Sequence, residues 1–214
     1  AYVQFDTGSL FEYAVFAEDG ISLTGNAVVD SYDSRDGAYG GANKANNGDV
    51  ATNAVSASKV TLNGNATIKG DAFVGTTGNP AQVISTTGNA SITGGRNNID
   101  ENITYATPTT NLAARPALSI AGNTNYPLLE GEYRFSSLKI TGNARINCTG
   151  AVTIYVDGSV DIAGNGFATQ NNTPTNLIIK VMGTDDVNIS GNGTFYGGIF
   201  APDAEIKNSG NGAI

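Results

Sequence analysis

Three acidic side chains, Asp30, Asp33 and Asp36, fall in one short Gly- and Asn-rich stretch and are the first candidates for chemistry. Carboxylate oxygens at close spacing can hold Ca²⁺. The spacing is not that of an EF-hand, however, and the chain lacks the Gly-Gly-x-Gly-x-Asp repeat of calcium-binding β-rolls. An Asx-rich turn facing solvent is therefore the preferred reading, with calcium kept as the one cofactor the sequence suggests. Asp185-Asp186 is a weaker pair of the same kind.

Histidine and tryptophan are absent. Catalytic triads built on histidine, imidazole general bases and the usual zinc ligand sets are excluded with them. Ser and Thr are plentiful but sit in turns and strands with no base beside them. Carboxylate or Arg/Lys catalysis of the polysaccharide lyase type stays open, although no paired-carboxylate signature stands out. The single cysteine, Cys148, alternates with polar neighbours beside Ala144 and Ile146, which places its thiol on the apolar side of a strand and reads as buried and inert.

Sequons such as Asn65-Ala66-Thr67, Asn89-Ala90-Ser91 and Asn192-Gly193-Thr194 arise wherever an Asn turn precedes a Thr-rich strand. Threonine positions do not repeat in the register an ice-binding face requires. Phe195 and Phe200 are expected to fill core corners, whereas Tyr32, Tyr39 and Tyr105 fall in loops and could form a contact or glycan-binding surface.

The elements that must position these groups follow from composition. The chain has 214 residues, 28 of them Gly, with abundant Asn, 40% hydrophobic residues and only 14% charged. Gly and Asn enter the left-handed backbone region most cheaply, so the chain turns often. It nevertheless carries too much apolar side chain for a linker. Net charge is −8, and the 11 Lys and Arg residues are scattered, which argues against nucleic acid or an anionic membrane surface as partner. No apolar run approaches the roughly 18 to 20 residues that span a bilayer. The opening stretch lacks a signal-peptide pattern, so a mature or trimmed form is expected.

One pattern recurs: a small or polar residue, Gly-Asn, then Ala or Gly, then a β-former. It is carried by Gly25-Asn26, Gly64-Asn65, Gly88-Asn89, Gly142-Asn143, Gly164-Asn165, Gly191-Asn192 and Gly210-Asn211, with Gly122-Asn123 and Gly78-Asn79 as weaker relatives. From Gly122 the pairs are 20, 22, 27 and 19 residues apart. A coil of about 20 residues holds three short strands and three turns. Between the turns the apolar period is two, as in Val152, Ile154 and Val156 or Leu138 and Ile140.

These features predict an all-β chain forming a single right-handed parallel β-helix over residues 1–214. Insert loops are expected near 30–49, 94–111 and 168–176, and the only helical candidate is a short turn around Ser9 to Phe16. Stacked Gly-Asn corners would let Asn side chains bond along the axis, forming a structural turn ladder.

The stretch from Leu129 resembles the C-terminal repeat domain of PilX-type, pilin-like pilus-assembly proteins of bacteria. The residues that carry it are Gly131 to Leu138, Ala151 to Gly158 and Ser190 to Pro202, with Tyr13 to Ala17 and Ile21 to Ala27 resembling a first coil. The resemblance implies an exported, surface-associated β-helix of a prokaryote carried behind a pilin-type hydrophobic helix. It supplies no catalytic residues. That helix is missing from these residues, and the family usually continues past its last Ser-Gly-Asn-Gly coil.

The functional expectation is a non-catalytic extracellular structural protein. Its partners would be further copies of itself, joined through terminal coils (Asn208 to Ile214 against Ala1 to Phe5), or other pilus subunits. The alternatives are an adhesin that binds glycan or host protein through its loops, and a β-helix lyase or hydrolase.

Overall fold

The structure is a computed structural model that describes residues 12–37, 39–170, 173–190 and 195–208. It is a parallel β-solenoid of about six turns. The first coil comprises β1 (Val15–Ala17), β2 (Ile21–Leu23) and β3 (Val28–Val29). The second comprises β4 (Val50–Thr52), β5 (Val60–Gly64) and β6 (Thr67–Ile68). The third holds β7 (Ala72–Val74), the one-turn helix α1 (Pro80–Val83), β8 (Ile84–Gly88) and β9 (Ser91–Ile92), and β10 (Arg96–Asn98) follows it.

After an irregular strap over residues 99–117 the winding resumes with β11 (Leu118–Ile120) and β12 (Asn125–Leu128). Next come β13 (Gly131–Phe135), β14 (Leu138–Ile140) and β15 (Arg145–Cys148), then β16 (Val152–Val156), β17 (Val160–Ile162) and β18 (Phe167–Ala168). The described winding ends with β19 (Leu177–Val181), β20 (Val187–Ile189), β21 (Gly198–Phe200) and β22 (Ile206–Asn208).

The strands line up as six sheets. Three belong to a first stack: β1-β4-β7-β10, β2-β5-β8 and β3-β6-β9. Three belong to a second: β13-β16-β19-β21, β11-β14-β17-β20-β22 and β12-β15-β18. Every strand pairing is parallel. Among the described residues no sheet runs from one stack into the other.

Alternation in the sequence becomes columns in space. Ile21, Val60 and Ile84 stand in register, as do Leu23, Leu62 and Thr86. In the second stack Leu118, Leu138, Val160 and Val187 form one column, and Ile120, Ile140, Ile162 and Ile189 the next. The buried apolar side chains gather into two clusters, one per stack. Burying each such Val, Leu or Ile side chain contributes roughly 1.5–3 kcal/mol, which a single coil cannot collect without its neighbours.

Several expectations are corrected. Residues 94–111 are not one loop, because Arg96–Asn98 is a strand paired with Ala72–Val74. Where a helical turn was expected before Phe16, the described part of that stretch leads into β1. The helix that does form is α1, where Asn79 accepts a hydrogen bond from Ala81 N at 3.0 Å and Pro80 occupies the first turn. Gly78-Asn79 is therefore a helix cap rather than a ladder corner. Residues 30–49 bulge between coils through 3-10 turns at Ser34–Asp36 and Gly41–Asn43, tied by a Ser31–Ala45 bridge. The 168–176 insert contains a 3-10 turn at Pro174–Asn176.

Candidate functional site

The Gly-Asn corners form a polar feature that repeats from coil to coil among the described residues. In each of the six described pairs the glycine has a positive φ, between 69° and 83°. In the first stack Asn65 Nδ2 donates to Asn26 Oδ1 at 2.9 Å, and Asn89 Nδ2 donates to Asn65 Oδ1 at 3.1 Å. The backbones follow the same step, with Asn65 N on Gly25 O and Asn89 N on Gly64 O, both at 2.8 Å. In the second stack Asn143 Nδ2 donates to Asn123 Oδ1 at 3.0 Å, while Asn165 Nδ2 turns to the backbone oxygen of Asn143 at 3.0 Å. Gly122-Asn123, the weaker match in sequence, is thus a full member. Gly191, Asn192, Gly210 and Asn211 lie outside the described residues.

The ladder is two ladders. Asn89 ends the first and Asn123 begins the second, with no bond between them. A glycan on Asn65 or Asn89 would consume the Nδ2 atom that holds the neighbouring coil.

A second ladder, which the sequence reading missed, occupies another corner. Asp49 Oδ1 accepts from Asp71 N at 2.7 Å, and Asp71 Oδ1 accepts from Gly95 N at 2.6 Å. Its signal is the dipeptide Gly-Asp at 48–49 and 70–71, answered by Gly94-Gly95. A side chain at Gly70 would meet Asp49 Oδ1 at 2.5 Å, which is why a glycine precedes the aspartate.

The candidate calcium ligands do not converge. Asp30, nearly buried, accepts from the Tyr39 hydroxyl at 2.8 Å and faces Lys69 Nζ at 3.9 Å. Asp33 caps the 3-10 turn and is held by Arg35, whose hydrogen bonds lower its pKa to about 2. Asp36 lies within that turn. Among the described residues no group of three or more Asp, Glu or Cys side chains is arranged to hold a metal. Asp186 pairs with Lys207 at 2.6 Å, and the hydrogen bonds that the lysine donates to Asp186 and Glu205 raise its pKa. Cys148 is buried, and desolvation pushes its pKa up to about 11.

The loop tyrosines are engaged. Tyr39 packs edge-on against Tyr32 at 5.5 Å, with Lys44 over its ring. Tyr105 is held between two phenylalanines, Phe16 at 5.2 Å and Phe200 at 5.4 Å, both edge to face. Phe195 is buried against Phe167, as expected of a core residue. Phe200 is not in the core: it stands in register with Lys180, alternating with the inward Ile199, and so faces Tyr105 outside the sheet.

The strap that carries Tyr105 doubles back. Ile103 exchanges two hydrogen bonds with the Asn53 amide at 2.6 and 2.9 Å. Thr107 donates to Asp203 at 2.5 Å. Leu112 O accepts from Arg134 at 2.9 Å, and Arg115 pairs with Phe135 as it enters the second stack. The first described coil and the last are thereby brought to one residue, Tyr105.

A family model described as a domain of unknown function (DUF7305) matches residues 128–214, the second stack from Leu128 onward. Comparison with curated proteins and with solved structures gives no match.

Proposed function

We propose that this chain is a non-catalytic structural protein of a prokaryotic cell surface, a pilin-like β-solenoid that joins end to end into a filament or pilus-associated structure. The observation that supports it most is where the polar groups are spent. Asn26, Asn65 and Asn89 bond one another from coil to coil, as do Asp49, Asp71 and Gly95. Other carboxylates pair with cations of a neighbouring coil, Asp157 with Arg134 and Asp186 with Lys207. These side chains bond one coil to the next. A solenoid with strands such as β8, β9, β11 and β12 on one outer side without a partner among the described residues is suited to extension by another strand.

The termini named in the sequence reading, Ala1 to Phe5 and most of Asn208 to Ile214, lie outside the described residues. The test is negative-stain electron microscopy of the native protein beside sedimentation velocity on the same sample. Ordered filaments, or association that grows with concentration, are expected. A clean monomer at millimolar concentration would overturn the assembly reading and favour an adhesive domain acting through the 30–49 and 94–111 regions.

A further inference from the structure

The two Asn ladders share one frame. Counting back from the corner glycine, the second and fourth residues point inward and the third outward in every described coil. The fourth is Ile21, Val60, Ile84, Leu118, Leu138 and Val160; the third is Ser22, Thr61, Ser85, Ser119, Lys139 and Asp161. In an uninterrupted solenoid β11 would therefore lie on β8, with Ser119 beside Ser85 and Asn123 beneath Asn89. It does not. Strands β8, β9 and β10 finish their sheets at one end, and β11 and β12 begin theirs at another, where Arg115 of the strap already bridges β13 at Phe135, because the strap leads the chain away past Asn53 and Phe16.

The two interrupted ends are complementary. The ladder has a direction: Asn65, Asn89, Asn143 and Asn165 each give Nδ2 to the coil before, to an Asn Oδ1 in the first three cases and to the Asn143 backbone oxygen in the last. Asn89 has used its donor, and among the described residues its Oδ1 takes no bond. Asn123 has used its acceptor, and its Nδ2 gives none.

We propose that the joint between subunits is the Gly88-Asn89 end of one copy docked on the Gly122-Asn123 end of a second copy, β8 pairing with β11 in parallel. This rests on the assembly reading above and assigns its contact to interior coils rather than to the chain termini. Thr86, Arg96 and Asn98 occupy inward positions at the first end, and Asn98 Nδ2 caps Gly75 O and Gly78 O at 2.7 and 2.8 Å. That polar face keeps a lone copy soluble, as capping repeats do, and makes the joint reversible.

The experiment is to mix Ser85→Cys protein with Ser119→Cys protein under mild oxidation. Adjacent parallel strands bring the two Cα atoms within disulfide reach, while buried Cys148 does not compete. The Ser85–Ser119 link is expected as the main product, at least tenfold over the link formed by either variant alone. Lys139→Cys in place of Ser119→Cys, one coil further in, should not link. Asn123→Asp, which removes the donor, should weaken association about fivefold or more, with circular dichroism confirming its fold.

If the unsubstituted chain assembles but the Ser85–Ser119 link is no more frequent than the Lys139 control, the proposed joint is wrong and the assembly reading survives. If that chain stays monomeric throughout, both fall. A closed two-copy particle carrying the link supports the joint and overturns the filament.

Discussion

Gly88 shows how little room a corner leaves. Its φ is +73°, and a Cβ there would lie 2.9 Å from Gly64 O in the coil before it. Gly88→Ala combines left-handed strain with that clash and should cost about 2–3 kcal/mol, read as a lower urea midpoint at unchanged slope. Cys148 carries a pH signature. Its thiol pKa rises from 9.0 to about 11 through burial, so the folded state keeps a proton that the unfolded chain gives up. A raised folded pKa means the contribution is whole below pH 9 and is lost as pH rises through about 11. Stability should fall over that window, and Cys148→Ala should flatten the fall. Tyr39, whose hydroxyl donates to Asp30, is pushed up to about 12, chiefly by burial, and continues the loss at higher pH. Native Cys148 should resist alkylation at pH 8 and react once urea unfolds the chain.

Among the elements, the Asp corner offers the sharpest contrast. Asp71 Oδ1 satisfies Gly95 N, and Asp71 N is itself satisfied by Asp49 Oδ1. Asp71→Ala leaves the amide of Gly95 without this acceptor and should cost about 1–2 kcal/mol, whereas Asp71→Asn keeps an acceptor and should cost less. Thermal unfolding of the two variants measures the difference. Asn79 acts differently from the other Gly-Asn pairs because Pro80 follows it. Proline fixes a helical φ at the first position of a turn, and the Asn side chain then caps α1 rather than joining a ladder. Gly-Asp at 48–49 and 70–71 was visible as a repeated dipeptide, but nothing local marks its carboxylate as a bond to the next coil, since its partner amide is more than twenty residues away.

For the whole molecule, the strap decides how the two stacks are held. Its attachments include Ile103 on Asn53, Tyr105 between Phe16 and Phe200, and Thr107 on Asp203. Edge-to-face aromatic pairs contribute about 0.5–1.5 kcal/mol each beyond area burial. Tyr105→Ala should therefore loosen the strap by about 1–3 kcal/mol while leaving each stack's own core intact. Native-state hydrogen exchange is the measurement: the amide of Ile103, which donates to Asn53 Oδ1, should exchange at least tenfold faster, and core amides such as Ile154 should not change. Accelerated exchange everywhere would mean that the stacks unfold as one unit and that Tyr105 belongs to their common core.

Sequence by itself determined the coil. The Gly-Asn corners, the period-two strands and the frame of inward Ile, Leu and Val are local requirements, because a left-handed corner and a two-faced strand each demand particular residues at particular offsets. Buried Cys148 and Phe195 were legible for the same reason. Tertiary structure decided where the winding stops and resumes. Phe195 and Phe200 look alike in sequence, yet one is buried on Phe167 and the other lies outside its sheet on Tyr105. Asp30 reads as part of a solvent-facing Asx-rich turn, with calcium as the alternative, until Tyr39 and Lys69 are brought to its side chain by the fold. The break between Asn89 and Asn123 is set by a strap whose contacts reach Asn53, Phe16 and Asp203. Side-chain periodicity encodes only the nearest coil, and contacts at that range leave no period to read.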